Sequence, residues 1–185
     1  MSIKHPIISV TGSSGAGTST VKHTFQQIFR RESVKAVTLE GDAFHRYNRK
    51  EMKKELEKRH AAGDATFSHF SFDANLLPEL EDCFRNYSEQ GTCRYRHYIH
   101  NSNEENLYGA KPGNFTKWKK FKEPSDLLFY EGLHGAVVNE EINLARYADL
   151  KIGVVPVINL EWIQKIHRDT DSRGYSTEAV TDTIL

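Results

Sequence analysis

Four apolar runs, at residues 7–11, 34–39, 127–132 and 150–157, interrupt an otherwise polar chain, and each has the length of a buried strand. After the first, Val21, Phe25, Ile28 and Phe29 recur at helical spacing, which predicts a helix over 21–31 with one face against a sheet. Strands alternating with helical segments predict an α/β fold. Asn48 and Glu51 have the spacing of a capping box, so a charged helix is expected from there to about residue 60, most of its charges facing water. A further helix is expected to start at Asn159 as cap and run to Asp169.

From 61 to 123 the periodicity weakens, and the segment reads as an insertion or flap carrying one helix, near 77–87, and a strand pair around 93–100. Alternation in that pair places Tyr95, His97 and Ile99 on one face and Arg94, Arg96, Tyr98 and His100 on the other.

The turn after the first strand changes the picture. Gly12, Ser13, Ser14, Gly15, Ala16, Gly17, Thr18, Ser19 and Thr20 follow the phosphate-loop spacing G-x-x-x-x-G-K-[ST], except that Thr18 stands where the motif has Lys. Glycines let backbone N–H groups converge on a polyphosphate, and the helix N-terminus adds partial positive charge. Ser19 is the expected Mg²⁺ hydroxyl. A dinucleotide-binding turn would need one more residue, and the pair Tyr147 and Lys151, spaced as in short-chain dehydrogenases, puts Lys151 on an expected strand rather than a helix.

Ligands of open α/β sheets lie beyond the carboxyl ends of the strands. The second strand exits through Glu40, Gly41 and Asp42, so Asp42 is the candidate base for an attacking substrate hydroxyl. His45 and Arg49 follow it with groups suited to a substrate phosphate. Glu131 ends the third run in a Walker-B-like position and is the candidate magnesium carboxylate. Lys165, Arg168 and Arg173 form a cationic lid, at about 165–175, able to supply the charge that Thr18 lacks.

The chain has 185 residues, enough for one sizeable domain, with 25 basic and 25 acidic side chains. A formal charge of zero gives no support for a nucleic-acid or membrane partner. The absence of a long apolar segment and of a secretory signal pattern points to the cytoplasm. Cys83 and Cys93, with His97 and His100 nearby, lack zinc-site spacing and are expected to be reduced, unligated thiols.

Taken together, residues 12–19 with Thr in the lysine position, 40–46 (EGDAFHR), 129–135 (FYEGLHG) and 155–169 (VPVINLEWIQKIHRD) resemble bacterial phosphoribulokinases. The resemblance runs over the whole chain. It implies a P-loop nucleoside-triphosphate hydrolase fold of the nucleotide-monophosphate-kinase-like type, a parallel-sheet core with helices on both faces. It also implies transfer of the γ-phosphoryl group of ATP to O1 of ribulose 5-phosphate, with magnesium. Asp42 would be the base; Glu131 and Asp169 would be magnesium-linked; His45, Arg49, His100 and Tyr98 would contact the sugar phosphate; and Lys165, Arg168 and Arg173 would stabilise the transferring charge. NADH activation and homo-oligomers are further implications. A uridine-kinase-like nucleoside kinase and a non-enzymatic nucleotide sensor are the alternatives. The resemblance also implies that the chain is an N-terminal fragment, since it stops inside an expected helix with the C-terminal part of the fold missing. No thioredoxin-type switch is expected, because no cysteine lies near the phosphate loop.

Overall fold

The computed structural model describes residues 5–121 and 124–184, with the backbone alone at 172–173 and 182–184. The elements run β1 (Ile7–Gly12), α1 (Thr18–Arg31), β2 (Ala36–Glu40), a 3₁₀ turn (Gly41–Phe44), α2 (Arg49–Ala61), α3 (Leu77–Gln90), β3 (Arg94–Tyr95), α4 (Ser102–Tyr108), β4 (Lys119–Lys120), β5 (Leu127–Gly132), β6 (Leu150–Val154), α5 (Ile158–Arg173) and α6 (Thr177–Ile184).

The four apolar runs form one parallel sheet in the order β2-β5-β1-β6. Strands buried on both faces read as continuous apolar runs, which is why these four were visible without alternation. Ile7, Leu39, Leu128 and Tyr130 face a core shared with Leu80, Phe84 and Tyr87 of α3. Val10 and Phe129 face the other side, where Phe25 and Phe29 of α1 pack on them. The helical spacing of Phe25 and Phe29 thus forms the buried seam of α1. The capping box of α2 is also formed: Asn48 Oδ1 accepts from the Glu51 N–H, and Glu51 Oε2 accepts from the Asn48 N–H, each at 2.9 Å.

Three expectations need correction. Asn159 does not cap α5, whose N-cap is Val157; the preceding Pro156 already stiffens the chain there, and the cap uses no side-chain hydrogen bond. The insertion holds a second helix, α4, one too short for periodicity to reveal, capped by Asn101 and closed by Gly109 at φ +76°. Cys83 and Cys93 are not separate thiols but a disulfide. Gly91 at φ +71° ends α3 and folds the chain back, so that Cys93 lies beneath the inward face of the helix with its Cα 4.8 Å from that of Cys83. Among the described residues no helix is long and apolar enough to cross a membrane.

Candidate active site

The carboxyl ends of β1, β5 and β2, adjacent in the sheet, bring the phosphate loop, Glu131 and the Asp42 turn side by side. Gly17 at φ +96° opens α1 without a side-chain cap, and the first turn of the helix carries no acidic residue. Its leading N–H groups and positive end are therefore left for an anion. Gly15, at φ +100°, lies so close to α5 that an added Cβ would stand 3.0 Å from the Glu161 carbonyl oxygen and 3.1 Å from Lys165 Cβ.

α5 rests on the loop through polar contacts as well. Ser13 donates to the Glu161 carboxylate. Arg168 Nη2 donates to Ser14 Oγ at 2.8 Å, and its Nε to Asp169 Oδ1 at 2.8 Å. Lys165 is buried, with Nζ 5.3 Å from the Phe70 ring centre. Ser13, Ser14, Phe70, Glu161, Trp162 and Lys165 line a cleft of about 310 Å³ between loop and helix. Two of the three lid cations, Lys165 and Arg168, are thus at the phosphate loop, while the side chain of Arg173 lies outside the described residues.

The hydroxyl that meets Glu131 is that of Thr18, donating to Oε1 at 2.5 Å. Ser19, about 100° further round the helix, is exposed. Lys22, one helical turn beyond Thr18, places Nζ 2.7 Å from Glu40 Oε1 and 3.7 Å from Glu131 Oε2. Burial works against its ammonium, but Glu40 first and then Glu131 hold the Lys22 proton above the ordinary lysine range. Lys22 was missed in the sequence because nothing in its spacing separates it from any other helical lysine; its meaning comes from the two carboxylates on neighbouring strands.

Asp42 sits in the 3₁₀ turn with both oxygens engaged: His45 Nε2 lies 3.3 Å from Oδ1 and His100 Nε2 lies 3.3 Å from Oδ2. The other predicted substrate residues assemble around it. Tyr98 packs edge-on to both His45 and His100, and Arg49 Nη2 donates to the His100 carbonyl at 3.2 Å. Burial pushes the Tyr98 hydroxyl above its usual range, tempered by Arg49.

A family model described as "Phosphoribulokinase / Uridine kinase family" matches residues 7–185. The chain belongs to the phosphoribulokinase/uridine kinase family. Among curated members, it is 72% identical over 185 residues to phosphoribulokinase 1 of Cereibacter sphaeroides, covering all of this chain and 64% of that protein. Nitrobacter vulgaris phosphoribulokinase is 64% identical over 98% of this chain and 63% of its own length. The solved phosphoribulokinase from Rhodobacter spheroides matches with a TM-score of 0.84 and 69% identity, covering 98% of this chain and 62% of that one. A D-glycerate 3-kinase from Cryptococcus neoformans, 12% identical with a TM-score of 0.57 over 98% of this chain and 76% of its own, shares the fold alone. The chain therefore spans just under two thirds of the curated phosphoribulokinases it matches.

Within this family fold, two residues beyond the sequence-derived set shape the Asp42 turn. Arg96 donates from Nε to the Ala43 carbonyl at 2.8 Å and from Nη2 to the His45 carbonyl at 2.6 Å, its guanidinium held between the Phe115 and Trp118 rings. Burial holds its pKa at about 10. Asn75 Oδ1 lies 2.8 Å from His45 Nδ1. The expected strand pair at 93–100 is reduced to Arg94–Tyr95, paired with Lys119–Lys120, so alternation does not extend to Arg96; Asn75, in a stretch without periodicity, gave no signal.

Proposed function

We propose that this protein transfers the γ-phosphoryl group of ATP to O1 of ribulose 5-phosphate, giving ribulose 1,5-bisphosphate. The observation carrying this reading is Asp42, half exposed, ringed by His45, His100, Tyr98 and Arg49, and one strand away from Glu131. Identity of 57–72% to curated phosphoribulokinases supports the choice of acceptor.

Phosphoryl transfer needs alignment and charge stabilisation more than covalent chemistry. Asp42 orients the acceptor hydroxyl and takes its proton. Residues 12–20 receive the triphosphate on backbone N–H groups, while Lys165, Arg168 and Arg173 draw on the charge developing during transfer. Arg49, Tyr98 and His100 present donors to the sugar phosphate. The hard carboxylate oxygens of Glu131 and Asp169, with the Ser19 hydroxyl, suit magnesium and would hold it. Bound magnesium would neutralise charge on the β- and γ-phosphate oxygens. Kinship with the bacterial enzymes further supports a cytoplasmic homo-oligomer that responds to NADH.

The test is ADP formation from MgATP by the longest available form of the protein, with ribulose 5-phosphate, ribose 5-phosphate and uridine as acceptors. Turnover selective for ribulose 5-phosphate is expected, and Asp42→Asn should lower kcat by roughly 10²- to 10⁴-fold. Selective turnover of uridine, or ATP hydrolysis indifferent to acceptor, overturns the reading.

A further inference from the structure

Residues 44–46 and 74–76 run antiparallel: Leu76 N–H donates to Phe44 O at 2.7 Å and Arg46 N–H to Ala74 O at 2.8 Å, which sets Asn75 opposite His45. Asn75 is buried, and its amide nitrogen donates to two backbone carbonyls, His69 O at 3.0 Å and Ser71 O at 2.8 Å. Carbonyls only accept, so the amide cannot be turned over without placing oxygen against oxygen. Its Oδ1 must therefore face His45 Nδ1, 2.8 Å away, and an amide oxygen only accepts. Nδ1 carries a hydrogen in every protonation state of the ring.

In neutral His45 the lone pair is then on Nε2, which faces Asp42 Oδ1 at 3.3 Å. We propose that Asn75 is a positioning residue that locks His45 in its Nδ1–H form, making the Nε2 lone pair the acceptor for the proton that Asp42 removes from the substrate hydroxyl. This deepens the reading of Asp42 as base and rests on it. As the acceptor oxygen forms its bond to the γ-phosphorus, the bond from that phosphorus to the β,γ-bridging oxygen breaks and ADP leaves with its electron pair; the acceptor's proton arrives on the Asp42 carboxylate and is shared with His45 Nε2 across the contact already present.

Among the described residues several charged and titratable groups face this pair, the buried Tyr130 beside Asp42 included. His100 holds the second oxygen of Asp42, Tyr98 and His69 lie 6.0 and 6.2 Å from the His45 ring centre to centre, Arg96 grips the His45 carbonyl, and His134 interacts electrostatically across the site. Burial opposes the His45 imidazolium, but the Asp42 carboxylate, helped by Asn75 and opposed by Arg96, raises its pKa above the ordinary histidine range. The acid side of the kcat/KM profile should consequently follow His45 rather than a lone carboxylate, with activity rising as the shared proton is lost.

Nitrogen-15 NMR of the His45 ring, on the longest available form of the protein, tests this without requiring turnover. At alkaline pH, Nδ1 should be of pyrrole type and Nε2 of pyridine type; the reverse overturns the proposal. Asp42→Asn should leave Nδ1 protonated and lower the His45 titration midpoint by about one unit or more, and an unmoved midpoint overturns it too. Asn75→Leu, checked for an intact fold by circular dichroism, should release the tautomer, cut kcat roughly 10-fold with little change in KM, and move the acid limb to lower pH. A released tautomer with kcat unchanged counts against the coupling. Failure to phosphorylate ribulose 5-phosphate alongside a confirmed tautomer would instead sink the functional reading and leave the lock standing.

Discussion

Arg96, from the insertion, holds the carbonyl of His45, from the turn that carries Asp42, at 2.6 Å. Arg96 thereby fixes the backbone of the turn that carries Asp42. Arg96→Lys keeps the charge but loses the planar fork that reaches Ala43 and His45 together. Steady-state kinetics should show kcat lowered by roughly 10- to 100-fold, since small displacements of an aligned base are costly. Arg96→Met should in addition lower unfolding free energy by about 1.5–3 kcal/mol in urea titrations, the usual loss for a hydrogen bond to a charged group.

Gly41 and Gly132 meet back to back where β2 and β5 end. A Cβ on Gly41 would stand 2.6 Å from the Tyr130 hydroxyl and 3.1 Å from Gly132 Cα. Tyr130 is fully buried and cannot swing away. Gly41→Ala should destabilise by about 1–3 kcal/mol, as overpacking does. Thermal unfolding measures that loss. Because Asp42 is the next residue, kcat should fall with it.

Arg168 joins Ser14 of the loop to its own neighbour Asp169. Arg168→Lys leaves a point charge on a flexible stem in place of that bridge. Turnover should drop by roughly 10²- to 10³-fold, the scale seen when one fixed donor to a developing charge is removed. Saturation curves for MgATP and acceptor would locate the loss in kcat.

Stability should decline in mild acid through His134 and His97. Burial, above all, lowers both imidazoles below the ordinary histidine value, and each stays neutral in the fold. The unfolded chain then binds protons at these positions more readily, so stability is full above about pH 6.5 and is lost as pH falls below it. His45 works in the opposite sense: its raised value contributes stability that is complete below about pH 6.5 and fades as pH rises through the folded value. Urea unfolding between about pH 7.5 and 5.5 should therefore be less pH-dependent in His134→Gln than in the unaltered protein.

What was legible in the sequence is what local physics writes there. Val10, Leu39, Leu128 and Phe129 announced the sheet because strands buried on both faces need unbroken apolar runs. The glycines of the phosphate loop and the acidic exit of β2 marked the candidate site because positions at strand ends are fixed by topology. Lys22, Asn75 and Arg96 were silent for the converse reason. Each acts on a partner far along the chain, Glu131 for Lys22, His45 for Asn75 and Ala43 for Arg96, so its role exists only after the fold has closed. The pairing of Cys83 with Cys93 was hidden likewise, because the reversal at Gly91 decides it and ten-residue spacing does not.

In the parallel pairing of β2 with β5, Glu40 stands opposite Glu131, and one step further Gly41 meets Gly132. A slip of one residue would put a side chain into that gap and turn Asp42 away from the ring of His45 and His100. The pairing joins segments some ninety residues apart, so in refolding from denaturant it forms late, after the local helices. Recovered turnover is then a clock for that closure, and helix signal measured alongside it should return first.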